Sequence, residues 1–440
     1  MTTWVPVVPP FRDGLLLGVN AVSDVVVVID CPEGCYFQVE RVGLSHDWSS
    51  TLLDPMGARR AIQTEVDYAR LPFGTEDALE RTVERAVQRL DPALVLLAQA
   101  TMVEVTGNDL AAIADRLQQR VARPVRAIPS ASLEGDCLDG FAAFVGALVD
   151  ALAPERVLQP DAVGVVGYLP DRLEHDHRAN VAELMRLVEL TGRPCAGVLC
   201  DGGDTAAARR TLGAGTLVGL PHGRGAATRA AARTGARAVE LPLPLGLAGT
   251  SGWVSALGEA VDATDVAADA TRAELAALVP DLDRARAACL QGRSAVLAHD
   301  PVWAAGLLPY LHELALHVPL VALRRRRGPP FTAIDPTGGS PRVLDDYAPA
   351  ELLHALEQVD PDGRVAVVLG AHDERAVAAL HRSAFIELGY PSLTTHALAP
   401  RPLLGFTGAR RLADELVNAV LAHEWATTAF PGGTRPGERP

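Results

Sequence analysis

The sequence predicts an α/β protein made of three Rossmann-like, doubly wound parallel-sheet domains. Three observations predict it. Short apolar runs alternate with amphipathic, alanine-rich stretches along most of the chain. The apolar runs are nearly continuous, as in strands buried on both faces of a parallel sheet. The alternation also restarts twice, at residues 161 and 293, and 440 residues exceed what one core usually holds.

In chain order, "DVVVVID" (24–30), "PALVLLAQ" (92–99) and "PVRAIPS" (124–130) read as the first buried strands. Between them, "EDALERTVERAVQRL" (76–90) and "DLAAIADRLQQRV" (109–121) carry apolar residues at helical spacing. Asp109 is placed as the N-cap of the second helix. The pattern resumes at "DAVGVVGYL" (161–169), "HRANVAELMRLVELTG", "PCAGVLC", "DTAAARRTL", "GTLVGLP", "GAATRAAARTG" and "AVELPLPLG". A third round starts at "RSAVLAHD" (293–300) and closes on a helix, "GARRLADELVNAVLAHEW" (408–425). Pro-rich or charged connections set the expected domains at 1–158, 159–285 and 286–430, followed by a disordered Pro/Gly-rich tail, 431–440.

Composition narrows the function. The formal net charge is −14, which disfavours nucleic acid and anionic membranes as partners. No run approaches the roughly 18–20 apolar residues that a membrane helix needs, and no signal-like segment opens the chain. A soluble, cytoplasmic protein is expected. No GxxxxGK[ST] loop occurs, so the chain is not expected to hydrolyse nucleotide itself, and no GxGxxG fingerprint follows a strand. "DGGDT" (201–205) reads as a turn into a capped helix, a phosphate-touching loop being the sharper alternative. His175 and His177 read as part of a solvated loop before a helix rather than a metal pair. The run Arg324–Arg327 reads as a solvated loop; a contact with an acidic partner or an anionic substrate group is the alternative.

The stretch "VVVVIDCPEGCYF" (25–37) sets Cys31 and Cys35, two of only six cysteines, at the mouth of the first strand. A disulfide, a metal site and two packed thiols all suit that position. A reducing compartment disfavours the first. Ligands of open parallel sheets bind outside the carboxyl ends of the strands. Gly34 lets backbone come close to something bulky there, and thiolates are soft ligands suited to iron–sulfur clusters. Two cysteines are too few for a four-ligand cubane, so a second chain would have to complete it. Cys137, Cys195, Cys200 and Cys289 read as small packed hydrophobes.

The order and spacing of several segments resemble the component 1 family of nitrogenase, which includes its cofactor-assembly scaffold and the light-independent protochlorophyllide and chlorophyllide reductases. "VVVVIDCPEGC" resembles the family's strand and Gly-Pro-x-Gly-Cys loop, with Cys35 at the cluster-ligand position. Residues 73–110 resemble its helix, strand and E-x-x-G-D-D turn through Glu104, Gly107 and Asp109. "LVELTGRPCAGVLCDGGDT", "DPVWAAGL" (300–307) and "GYPSLTTHALAPRPLLGFTGARRLADELVNAV" (389–420) follow in the family's order.

This resemblance implies three Rossmann-like domains, and the departures imply which subunit. The region "DGLLLGVNAV" has no cysteine, and Thr101 stands where an α-type subunit has its third cluster cysteine. The chain therefore resembles a β-type subunit contributing Cys35 to a cluster, 4Fe-4S by expectation, shared with an α-like partner in an α2β2 assembly. Cys31 stands where the family usually has glycine, as a second ligand or simply as a small residue that fits. By the same resemblance, a separate dimeric iron–sulfur ATPase supplies electrons, ATP acts only through that reductase, and a small organic molecule, a tetrapyrrole for example, is reduced. Asp30, Glu33 and His46 are the candidate proton donors near the loop. An assembly scaffold for a metallocofactor is the alternative reading, and a cluster-free protein binding a small ligand between domains is a third.

Overall fold

The computed structural model describes residues 8–34, 60–129, 132–169, 177–326, 331, 340–395 and 399–429, with side chains up to 425. Cys35, His46, His175, Arg327 and the tail 431–440 lie outside the described residues.

Among the described residues, three all-parallel sheets carry the fold. The first has strand order β2-β1-β3-β4, from β1 (Val25–Asp30), β2 (Ala61–Gln63), β3 (Leu94–Gln99) and β4 (Val125–Ala127). The second has order β6-β5-β7-β8, from β5 (Gln159–Val166), β6 (Cys195–Val198), β7 (Ala214–Gly219) and β8 (Arg237–Glu240). The third has order β11-β10-β9-β12-β13, from β9 (Ser294–His299), β10 (His317–Leu323), β11 (Arg342–Asp345), β12 (Val365–Gly370) and β13 (Ala384–Glu387). Every residue of β1, β3 and β12 is buried, which is why these strands read as unbroken apolar runs.

The sheets are stacked through shared cores. Val25, Val27 and Ile29 of β1 face a core that also takes Ala162 and Val166 of β5. Val26 and Val28 face the opposite way, onto the helices Glu76–Leu90 and Leu110–Val121. Val163 and Val165 of β5 face a second large core, which contains Ala295 and Leu297 of β9. Alternate side chains of each central strand thus join neighbouring layers, as the two-residue period requires.

Between the first two sheets, the helices Phe11–Asn20 and Cys137–Leu152 make extensive contact. A Cβ at Gly14 would collide with the carbonyl of Cys137, and one at Gly140 with the carbonyl of Phe11. Glycine at both positions lets the two backbones touch. The second helix opens on a capping box, in which the Asp136 carboxylate accepts from the amides of Leu138 and Asp139.

The helix Glu76–Leu90 and its neighbour Leu110–Val121 appear where the sequence puts them, with the Asp109 carboxylate accepting from the Ala112 amide. "DGGDT" is a turn into a capped helix: Asp204 accepts from Ala207, and Asp201 accepts from Gly203. His177 differs from its expectation. It is the first residue of the helix His177–Glu189 and is buried, not solvated.

Candidate functional site at the sheet edges

At the carboxyl edge of the first sheet, the last residue of β1 is a fully buried acid. Asp30 accepts from Thr75 Oγ1 at 2.5 Å and from Thr64 Oγ1 at 2.9 Å. Asn108 Nδ2 in turn donates to Thr75 Oγ1 at 2.7 Å. Burial raises the Asp30 pKa, and the bonds from Thr75, Thr64 and Asn108 oppose that shift. The carboxyl therefore braces three loops: Thr64 follows β2, Thr75 opens a helix and Asn108 precedes another.

Cys31 is pinned by the same brace. Its amide donates to Thr64 Oγ1 at 3.0 Å, and its carbonyl accepts from the Val66 amide at 3.0 Å. The residue is fully buried and belongs to the core shared with the second sheet. Glu33 and Gly34 are exposed. Gly34 adopts φ +88°, and among the described residues nothing lies within 4 Å of where its Cβ would be. The loop is thus closed at its Cys31 end and open at its Gly34 end. Thr101 begins a short helix, Thr101–Glu104, and donates to the Ser132 carbonyl at 3.2 Å, while Ser132 Oγ donates to Glu104 at 2.5 Å.

As a test of fit for an iron–sulfur cluster, the described residues supply no group of three or more His, Cys, Asp or Glu able to hold a metal ion. One thiol at this edge is in the core, and the open space is at the other end of the loop. The described residues therefore do not by themselves make a cluster site, and Cys35 lies outside them.

A second set of groups gathers at the carboxyl edge of the third sheet, where strand order reverses between β9 and β12. That is the switch point at which open sheets bind ligands. The arginine run lies here, and its first two members correct the solvated-loop expectation. Arg324 is buried, pairs with Asp373 at 2.9 Å and Glu374 at 3.7 Å, and donates to the Tyr390 carbonyl. Glu374 also accepts from Tyr347 OH at 2.6 Å. Burial raises the Glu374 pKa, and Arg324 with the Tyr347 hydroxyl opposes that shift. Arg325 is buried and pairs with Asp345 at 2.7 Å. Only Arg326 of the described three is exposed, and its amide reaches Asp136 Oδ2 at 3.3 Å. The physical reason is local: the run follows β10 directly, so its first side chains fall among acids at the sheet edge.

This edge meets both other sheets around two cavities. One, about 490 Å³, is lined by Asp136, Leu138 and Asp139, by Pro221, Arg224 and Leu243, and by Pro301, Val302, Ala305 and Arg325. Its size falls in the usual range for small-molecule sites. The other, about 40 Å³, shares Asp136 and Leu138 and adds Cys137, His299, Asp300, Trp303, Arg324 and Gly389. It has room for a few waters or one functional group. His299 is a site residue that sequence reasoning missed; "HDP" at a strand end beside a helix cap was the available signal.

Among families, the one described as Nitrogenase component 1 type Oxidoreductase matches residues 14–421. The chain belongs to that family. Two solved structures are similar to it. "Nitrogenase Cp1 at pH 6.5" has a TM-score of 0.80 at 16% identity, covering 99% of this chain and 96% of that one. "Nitrogenase Cp1 at pH 5" has a TM-score of 0.75 at 17% identity, covering 100% and 92%. At these identities the likeness concerns the fold. No curated protein matches the chain. Among the described residues, no helix of this nitrogenase component 1 family member is long and apolar enough to cross a membrane.

Proposed function

We propose that this chain is the β-like subunit of a nitrogenase-like reductase, working with an α-like partner in an α2β2 assembly. Its domains on this reading are 1–158, 159–285 and 286–430, each with one of the three sheets. Cys35 gives one thiolate to an iron–sulfur cluster, most simply 4Fe-4S, at the interface with the partner, whose cysteines complete it. Cys31, sealed in the core, serves packing rather than ligation. The cluster, when bound, supplies one-electron storage and transfer. A separate dimeric iron–sulfur ATPase delivers the electrons.

One observation carries the interface. Tyr68, Phe73, Met102, Val105 and Leu133 are large apolar side chains left exposed. All five lie in segments that follow β2, β3 and β4, at the same sheet edge as Cys31 and Gly34. Apolar surface concentrated around one loop suits coverage by a second protein. A small organic substrate, a tetrapyrrole among the candidates, occupies the junction cleft of about 490 Å³. The chain's own part is to wall that cleft with apolar side chains such as Leu138, Leu243 and Val302, beside the charged Asp139, Arg224 and Arg325.

Anaerobic co-expression with an α-like homologue and the ATPase tests this reading. A stable complex containing iron and consuming ATP to reduce an organic substrate supports it. Purification as an iron-free homodimer contradicts it. If a bound metallocofactor passes to an acceptor protein without turnover, the complex is instead an assembly scaffold.

A further inference from the structure

The small junction chamber contains a group that neither the packing nor the first sheet edge uses. His299 is only 4% exposed, and Trp303 stacks on its ring at 5.4 Å. Its Nδ1 lies 2.9 Å from Asp300 Oδ2. Asp300 cannot turn away, because its Oδ1 accepts from the amides of Val302 at 2.8 Å and Trp303 at 3.0 Å as the helix N-cap. Burial alone would raise the Asp300 pKa, yet His299, His222 and the Trp303 amide hold it below the usual carboxylate range. It therefore faces the ring as an anion.

That anion fixes the tautomer. The Asp300 amide N–H is also directed at Nδ1, at 2.8 Å, and would suit an unprotonated nitrogen. The carboxylate outweighs it, because a carboxylate against a bare nitrogen is the costlier mismatch and its hydrogen bond is charge-assisted. Nδ1 carries the proton, and Nε2 is left as the exchangeable position. Nε2 is buried and has no hydrogen-bond partner among the described residues. A buried polar atom left so is unfavourable. What faces it is Gly389, at φ +85°, where a Cβ would stand 2.5 Å from Nε2. The other ionisable groups near the ring are committed to other partners or to Asp300. Arg324 holds Asp373 and Glu374, Asp136 caps its helix, and His222 interacts with the Asp300 carboxylate.

We propose that His299, held by Asp300, is the proton-exchanging group of a ligand site at this junction. Its occupant is a mostly apolar organic molecule that lies in the larger cleft and reaches Nε2 with one hydrogen-bonding group. The binding site stands on the geometry alone; its part in a reduction rests on the function proposed above. There, a double bond takes two electrons delivered by the iron–sulfur ATPase and two protons. The imidazolium Nε2–H bond breaks as one proton bonds to the reduced atom. Water supplies the second proton and reprotonates the ring.

The test is labelling of the full-chain complex with diethyl pyrocarbonate, read by peptide mass spectrometry. His299 should be labelled, and at least tenfold more slowly in Leu138→Trp, which narrows the wall common to both cavities. Val302→Trp, on another wall of the cleft, should do the same if the first variant does not fold. Saturating 8-anilinonaphthalene-1-sulfonate, an apolar organic acid, should slow labelling of His299 but not of the exposed His354. If His354 reacts while His299 does not, or if His299 reacts equally in both variants and with the probe present, the proposal is overturned. Normal labelling in a complex without ATP-dependent turnover would instead count against the reductase reading and leave this site standing.

Discussion

The hydroxyl of Thr75 donates to the buried carboxylate of Asp30 at 2.5 Å, across 45 positions of sequence. This bond ties the end of the first strand to the start of the helix Glu76–Leu90, and so holds the loop that leads to Cys35. Removing a hydrogen bond to a buried, charged group costs about 1.5–3 kcal/mol. Thr75→Val should lower the unfolding free energy by about 2 kcal/mol in urea titrations, whereas Thr75→Ser should stay within about 1 kcal/mol. A larger loss for Thr75→Ser than for Thr75→Val would show that the methyl group, not the bond, matters.

The same carboxyl gives a pH signature. Its folded pKa is raised by burial, so as pH climbs past the ordinary value of 3.8 the unfolded chain releases this proton first. Stability from this group is therefore full below that value and falls as pH rises toward the folded pKa, then levels. Asp30→Asn removes the titration. The stability of the variant minus that of the natural chain should grow between about pH 4 and the folded pKa, measured by urea unfolding at several pH values. A difference that shrinks with rising pH would reverse the sign assigned here.

Helix contact through glycine makes a third prediction. Gly140→Ala should cost about 1–3 kcal/mol by forcing the helices apart, since its Cβ meets the Phe11 carbonyl. Gly249→Ala, in the helix Gly246–Ala260, meets nothing within 4 Å among the described residues and should stabilise by up to about 1 kcal/mol. Thermal melts of the two variants, compared with the natural chain, decide it.

The arginine run separates sequence-level from structural expectation. Arg324→Met leaves Glu374 buried without its cation and should cost about 3–5 kcal/mol. Arg326→Met, at an exposed position, should change stability by less than about 0.5 kcal/mol. Equal small effects in chemical denaturation would restore the solvated-loop reading for both.

These contrasts show where the sequence was legible. The helix Glu76–Leu90 was readable because its buried positions, Leu79, Thr82, Val83 and Ala86, recur at helical spacing. The strands β1, β3 and β12 were readable because burial on both faces leaves no polar positions. The helix Phe11–Asn20 was not, because eight of its residues are buried and no polar stripe marks its period. Short strands such as β2 and β13 lack the length to announce themselves. Arg324 and His299 owe their roles to partners far away in sequence, Asp373 and Gly389 among them, and no local pattern encodes such contacts.

The central claim is that one thiol of this chain, Cys35, joins a cluster shared with another subunit. Electron paramagnetic resonance and iron analysis of the anaerobically purified complex, with and without Cys35→Ala, test it most directly. The account predicts loss or strong perturbation of the iron–sulfur signal in the variant while Cys31→Ala keeps it. An unchanged signal and full iron content in Cys35→Ala would contradict it.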